Sequence, residues 1–89
     1  MKKLTGSEAL KKSRELMAQM DCNILMILNL PNCSLNIMEF CGKYYKTWVD
    51  EDLYEHTFEE VTKQEADTIM GMAQHIIEDD KVQVKFGGF

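Results

Sequence analysis

The sequence predicts an α+β two-layer sandwich: an antiparallel or mixed sheet of about five strands with two amphipathic helices on one face, in the order α-β-β-β-β-α-β. Three observations predict it. Two stretches carry apolar residues at helical spacing, and each is opened by the same capping pattern. The stretches between them, and one after the second, alternate with a period of two. The whole chain is 89 residues, which makes a single domain, 1–89, and a domain this small buries only about two thirds of the surface its unfolded chain exposes.

The helix starts are Leu4-Thr5-Gly6-Ser7-Glu8-Ala9 and Val61-Thr62-Lys63-Gln64-Glu65-Ala66. In both, a Thr N-cap is followed three residues later by a Glu that can return the hydrogen bond, and an apolar pair flanks the cap as a hydrophobic staple. Ala9, Leu10, Ser13, Leu16, Met17 and Met20 then fall on an arc of about 120° at 100° per residue, and so do Ala66, Ile69, Met70, Ala73, Ile76 and Ile77. Each helix therefore has one side for the core. His75 and Asp79, four apart, fall on the polar side of the second helix as a surface pair. The segments after the two helices differ, so the shared cap is read as recurrence rather than duplication.

Between the helices, NILMILNLPNCSLNIMEFC reads as a hairpin around Pro31-Asn32, with a loop of two or four residues. Either length pairs Leu30 with Cys33, Leu28 with Leu35, Met26 with Ile37 and Ile24 with Glu39, an almost wholly apolar side that faces the core. The other side is mixed, and Leu25, Ile27, Met38 and Phe40 form an apolar patch there that helices on the first side leave open. A third layer, a covering loop or partial exposure would account for it structurally. The functional alternative is a homodimer or partner surface. After Gly42, YYKTWV reads as a third strand, Asp50-Glu51-Asp52 as a turn and LYEHTF as a fourth strand with Tyr54, His56 and Phe58 on one side. KVQVKF reads as the last strand, with lysines outward as edges often have, and Gly87-Gly88-Phe89 reads as a free end.

Charge separates the function classes. The net charge is −5, but residues 50–67 hold eight acids against the single Lys63. A concentrated negative segment repels nucleic acid and anionic membrane and attracts basic surfaces. That counts against the reading first suggested by KYYKTW, in which Tyr44, Tyr45 and Trp48 would stack bases while Lys43 and Lys46 hold phosphate. Alternation along a strand puts Tyr45 on the face opposite Tyr44, Lys46 and Trp48, and the two lysines do not offset the acids.

Acidic runs are most often solvated surface that keeps a small protein soluble. The functional reading is that Asp50, Glu51, Asp52, Glu55, Glu59 and Glu60, with Trp48 or Tyr54 as aromatic anchor, dock on a basic surface of a partner protein. One form would be inhibition of a nucleic-acid-binding enzyme, in the manner of small phage or mobile-element proteins, an analogy of size and charge alone. The alternative class is a small-molecule or nucleotide-binding module with a pocket formed by Tyr44, Trp48, Tyr54 and His56. Single-stranded nucleic-acid binding stands third.

Enzymatic chemistry has no motif to rest on. There is no Walker-type phosphate loop, HExxH, CxxC, GxSxG or dinucleotide fingerprint, and Asp50-Glu51-Asp52 lacks the glycine and spacing of a calcium loop. No catalytic residue, metal or cofactor is predicted. The odd number of cysteines suggests free thiols packed as small hydrophobes, with Cys22 opposite Cys41 in the hairpin and Cys33 on the same side. A redox pair, or a zinc site completed by His56, would lack short ligand spacing. No apolar run reaches the length of a secretory leader or a membrane span, so a cytoplasmic protein is expected.

Overall fold

Alternating residues between positions 23 and 61 fold into an unbroken antiparallel meander, and the remaining elements attach to its edges and faces. The computed structural model describes residues 3–87. Among them the elements are β1 (Leu4–Thr5), α1 (Gly6–Met17), β2 (Asn23–Asn29), β3 (Cys33–Phe40), β4 (Lys43–Asp50), β5 (Glu55–Val61), α2 (Lys63–Ala73) and β6 (Gln83–Phe86). They build one six-stranded sheet in the order β1-β5-β4-β3-β2-β6, with every pairing antiparallel. The α+β class stands, with β1 as the strand missing from the sequence reading. Gly88 and Phe89, part of the expected free end, lie outside the described residues. Gly87 is tied down, its N–H donating to the Leu25 carbonyl at 2.8 Å.

The layering differs from the sequence reading. Ile37 and Met38 are consecutive in β3 and point to opposite faces, yet both are 0% exposed. Ile37 packs with Met26, Leu28, Val61 and the α2 residues Ala66 and Ala73. Met38 packs with Phe58 and the α1 residues Ala9 and Leu16. The helices therefore cover opposite faces and the domain has three layers, not two. The largest fully buried side chains are shared evenly, Met26 and Ile37 under α2, Met38 and Phe58 under α1. Burial of each contributes about 1.5–3 kcal/mol.

A β-bulge alters the hairpin register as well. The hairpin closes on the two-residue loop Pro31-Asn32, and Met26↔Ile37 and Leu28↔Leu35 pair as expected. Between Ile24 and Met26 the register shifts, so Ile24 faces Met38 and Glu39 moves opposite Asn23. Leu25, the extra residue, joins Met26 on the α2 side, while Ile24 turns to the α1 side. Of the apolar patch offered as a dimer surface only Leu25 leaves, while Ile27, Met38 and Phe40 stay on the face that α1 covers, the third layer that was one structural account of the patch. Met38 and Phe40 lie against α1, Leu25 packs on the opposite face, and half-buried Ile27 sits between Asn36 and Lys85.

Both helices are shorter than their apolar arcs. Met20 lies beyond α1 and is fully exposed, and Ile77, His75 and Asp79 lie beyond α2, so His75 and Asp79 are not on a helix face. Both staples form, since Leu4 packs with Ala9 and Val61 with Ala66. The caps differ. Thr62 accepts from the Glu65 N–H at 3.0 Å, and the Glu65 carboxylate accepts from the Thr62 N–H at 3.4 Å. Thr5 makes no side-chain cap bond. It is a β1 residue paired with Thr57, and the chain enters α1 through Gly6 at φ +65°, a left-handed turn that carries the first helical amides away from its hydroxyl. Thr62→Ala is therefore expected to lower stability by about 1 kcal/mol in urea unfolding, and Thr5→Ala by clearly less.

Candidate functional site

The β4–β5 connection is held at one end of the sheet by acidic side chains acting as hydrogen-bond acceptors. Asp50 closes β4, and its Oδ1 accepts from the N–H groups of Asp52 and Leu53, both at 3.1 Å. This is the Asx-type turn that an aspartate at the first turn position provides. The neighbouring β2–β3 turn locks on from the side: Asn32 Nδ2 donates to Asp52 Oδ2 at 3.0 Å, and the Glu51 N–H donates to the Asn32 carbonyl at 2.8 Å. Tyr54 completes the connection in the left-handed region, φ +52°. For a residue with a side chain that costs about 1–2 kcal/mol. The fourth strand was expected to begin at Leu53; it begins at Glu55, and Leu53 and Tyr54 belong to the turn, 64% and 87% exposed.

The acids of residues 50–67 do not gather at one spot. Glu59 faces Lys46 across the β4–β5 ladder and pairs with it at 3.5 Å, Glu60 pairs with Lys43 at 4.0 Å on the other face, and Asp67 pairs with Lys63 at 3.4 Å. Glu65 serves the α2 cap. What remains is the turn end, where Asp50, Glu51, Asp52 and Glu55 have no ion-pair partner among the described residues. Of these, Asp50 and Asp52 shape the turn, while Glu51 and Glu55 are exposed and free of structural work.

Of the pocket expected from Tyr44, Trp48, Tyr54 and His56, only Tyr54 and His56 come together, lining a cavity of about 320 Å³ with Thr5 and Gly6. Tyr44 packs into the α2-side core, Tyr54 stands on the turn, and His56 lies on the α1 face with Phe58. Trp48 instead floors a different cavity. A groove of about 660 Å³ runs between α2 and the sheet from β2 to β5, with Leu28, Leu35 and Trp48 below, Ile69, Met72 and Ile76 along the helix side, and Lys3, Lys46, Glu55 and Glu59 at its margin. Met72 is 67% exposed at its mouth.

On the α1 face, Tyr45 stacks on Phe58 with ring centroids 5.2 Å apart. Burial, then the Glu60 carboxylate and Cys41, push its phenol above the ordinary range. Three buried polar atoms there, Asn36 Oδ1, Thr47 Oγ1 and His56 Nδ1, have no partner among the described residues. Asn36 is the register partner of Thr47, and Thr47 of Phe58, two residues from His56.

All three cysteines are free, and none is fully buried; Cys41 is exposed in the β3–β4 turn. The bulge puts Cys22 one position out of line with Cys41, correcting the expected pair. No three metal-ligating side chains converge among the described residues, and neither helix there is long and apolar enough to cross a membrane.

Neither Leu53 nor Met72 was marked as a site residue from the sequence. The available signals were an Asp able to extend its turn past Asp52, and an apolar residue off the core arc of the second helix. Comparison with known protein families, with curated proteins and with solved structures finds no match.

Burial and then Glu39 push the Cys22 thiol up, and burial followed by Asp50 and Asp52 does the same for Cys33. Because the thiolate is the reacting form, both should be slower than Cys41 toward a disulfide reagent at pH 8. Native-state thiol counting should show one fast phase that Cys41→Ser removes, and denaturant should bring Cys22 and Cys33 to its rate.

Proposed function

We propose that this chain is a small non-enzymatic binding protein that docks on a basic surface of a partner protein through its β4–β5 turn. The observation that carries this reading is the presentation of Leu53 and Tyr54, both exposed, on a turn pinned by four hydrogen bonds and flanked by unpaired carboxylates. A turn held in one conformation loses little entropy on association. An aromatic anchor supplies contact area and surrounding charge speeds and orients the encounter. Strain at Tyr54 fits a residue held in place for contact rather than for packing.

The other two readings have less support. A nucleotide pocket loses His56 to the opposite face. Single-stranded nucleic-acid binding loses Tyr45 to the core and Lys43 and Lys46 to Glu60 and Glu59. Inhibition follows from the docking reading where the basic surface is itself a phosphate-binding groove.

The structure also decides which substitutions test the idea. Reversing Asp50 or Asp52 would dismantle the turn, whereas Glu51 and Glu55 can be reversed without removing a hydrogen bond. A partner captured from lysate and then titrated by calorimetry should bind Glu51→Lys/Glu55→Lys and Tyr54→Ser each at least about tenfold more weakly than the unaltered chain. Wild-type affinity should fall as the Debye length shrinks from about 30 Å at 0.01 M to about 8 Å at 0.15 M salt, with a flatter dependence for the double variant. Equal affinity of all three proteins would overturn the proposal.

A further inference from the structure

We infer that the groove beside the turn receives an apolar side chain of the same basic partner, followed by an arginine that reaches the carboxylates at the groove's upper end. The occupant is taken from the docking reading above, but the groove itself is a separate observation. Its volume of about 660 Å³ has room for a few side chains, within the range of about 300–1,000 Å³ typical of binding pockets. Its floor and helix side are apolar: Leu28, Leu35 and Trp48 below, Ile69, Met72 and Ile76 beside.

Charge selects the occupant. At the lower margin Lys46 and Glu59 neutralise one another. At the upper end Asp50 and Glu55 are direct register partners, the last pair of the β4–β5 ladder, and strand alternation puts them on the face of Trp48. Like charges directly opposite in a sheet repel. Asp50 Oδ1 accepts from two turn N–H groups, whereas Glu55, the one of the two that lines the groove, has neither hydrogen bond nor ion pair among the described residues, Lys3 sharing the margin without pairing with it. A neutral ligand would leave the repulsion in place. A cation there meets two carboxylates and lies beside the indole of Trp48. Guanidinium suits that position better than ammonium, because its plane can stack on the indole while its fork reaches carboxylate oxygens. An apolar residue next to an arginine would fill the groove and its upper end together.

Trp48 is the single tryptophan and reports on its own site. The probes are three short amidated peptides: alternating leucine and arginine, alternating serine and arginine, and alternating leucine and glutamine. The leucine–arginine peptide should shift Trp48 emission to the blue and saturate, the other two binding at least about tenfold more weakly. Met72→Glu, at an exposed position whose fold can be checked by circular dichroism, should weaken the leucine–arginine peptide by a similar factor. Glu55→Gln should weaken it but leave the leucine–glutamine peptide unaffected.

Equal binding of the serine–arginine or leucine–glutamine peptide would overturn the inference. So would a partner that distinguishes wild type from Tyr54→Ser while the leucine–arginine peptide leaves Trp48 emission unmoved, a result that spares the turn. A peptide that shifts Trp48 while Tyr54→Ser keeps full partner affinity would support the groove and remove the turn.

Discussion

The burial of two consecutive residues of β3, Ile37 and Met38, on opposite faces is the constraint on which the architecture depends. A sheet apolar on both sides at its centre must be covered twice. Twenty-three helical residues, twelve in α1 and eleven in α2, supply the cover, and they suffice only for part of each face. α1 spans from the β1–β5 edge toward the start of β2, and α2 takes the facing side. Helices this short leave sheet surface open beyond them. The Trp48 groove is the open part on the α2 side, and the row of Asn36, Thr47 and His56 marks where the α1 side turns polar.

The bulge at Leu25 decides which residues at the start of β2 serve which layer. Without it, Ile24 would face Glu39 on the side of Met26, and Leu25 would lie on the side of Met38. With it, Ile24 supports Met38 under α1 while Leu25 and Met26 both serve the α2 core. The same bulge supplies the carbonyl that fixes Gly87 and so anchors the end of β6. One inserted residue thus exchanges the faces of Ile24 and Leu25 and secures an edge strand, at the cost of a local break in the ladder.

Strand existence, the two-residue hairpin loop, the opposite facing of Tyr44 and Tyr45 and the α2 capping box were legible because each rests on local chemistry: period-two patterning, proline geometry, a Thr–Glu reciprocal bond. The layering was legible only in part: the second apolar side of the hairpin was visible, but that α1 crosses to cover it is a long-range contact, and the bulge that exchanges Ile24 with Leu25 leaves no composition signal. The failed cap at Thr5 was hidden for a related reason: the pairing of Thr5 with Thr57 is a contact across more than fifty residues, and it overrides a motif that looks complete locally. For the candidate site, the acid content was visible but its division was not. Lys46 meets Glu59 only through the register of β4 on β5, and that register removes Glu59 and Glu60 from the surface charge that sequence proximity suggested.

Several places where local preference is violated lie close together, beside others elsewhere such as the positive φ of Cys41 and the exposed Met20 and Ile77. A tyrosine with positive φ, two carboxylates opposed across a ladder, and exposed Leu53, Tyr54 and Met72 lie on the β4–β5 turn or around the groove beside it. Elsewhere the staples pack and the large side chains of both cores are buried. Stability alone gives no reason to keep these features together, since a glycine at position 54 or a lysine at position 55 would relieve two of them without touching the core. Features that cost folding free energy and persist side by side are where a contact outside the fold is sought first. The chemistry those features share, apolar and aromatic surface edged by unpaired carboxylate, is what the proposed partner, bringing cationic and apolar groups together, would complement.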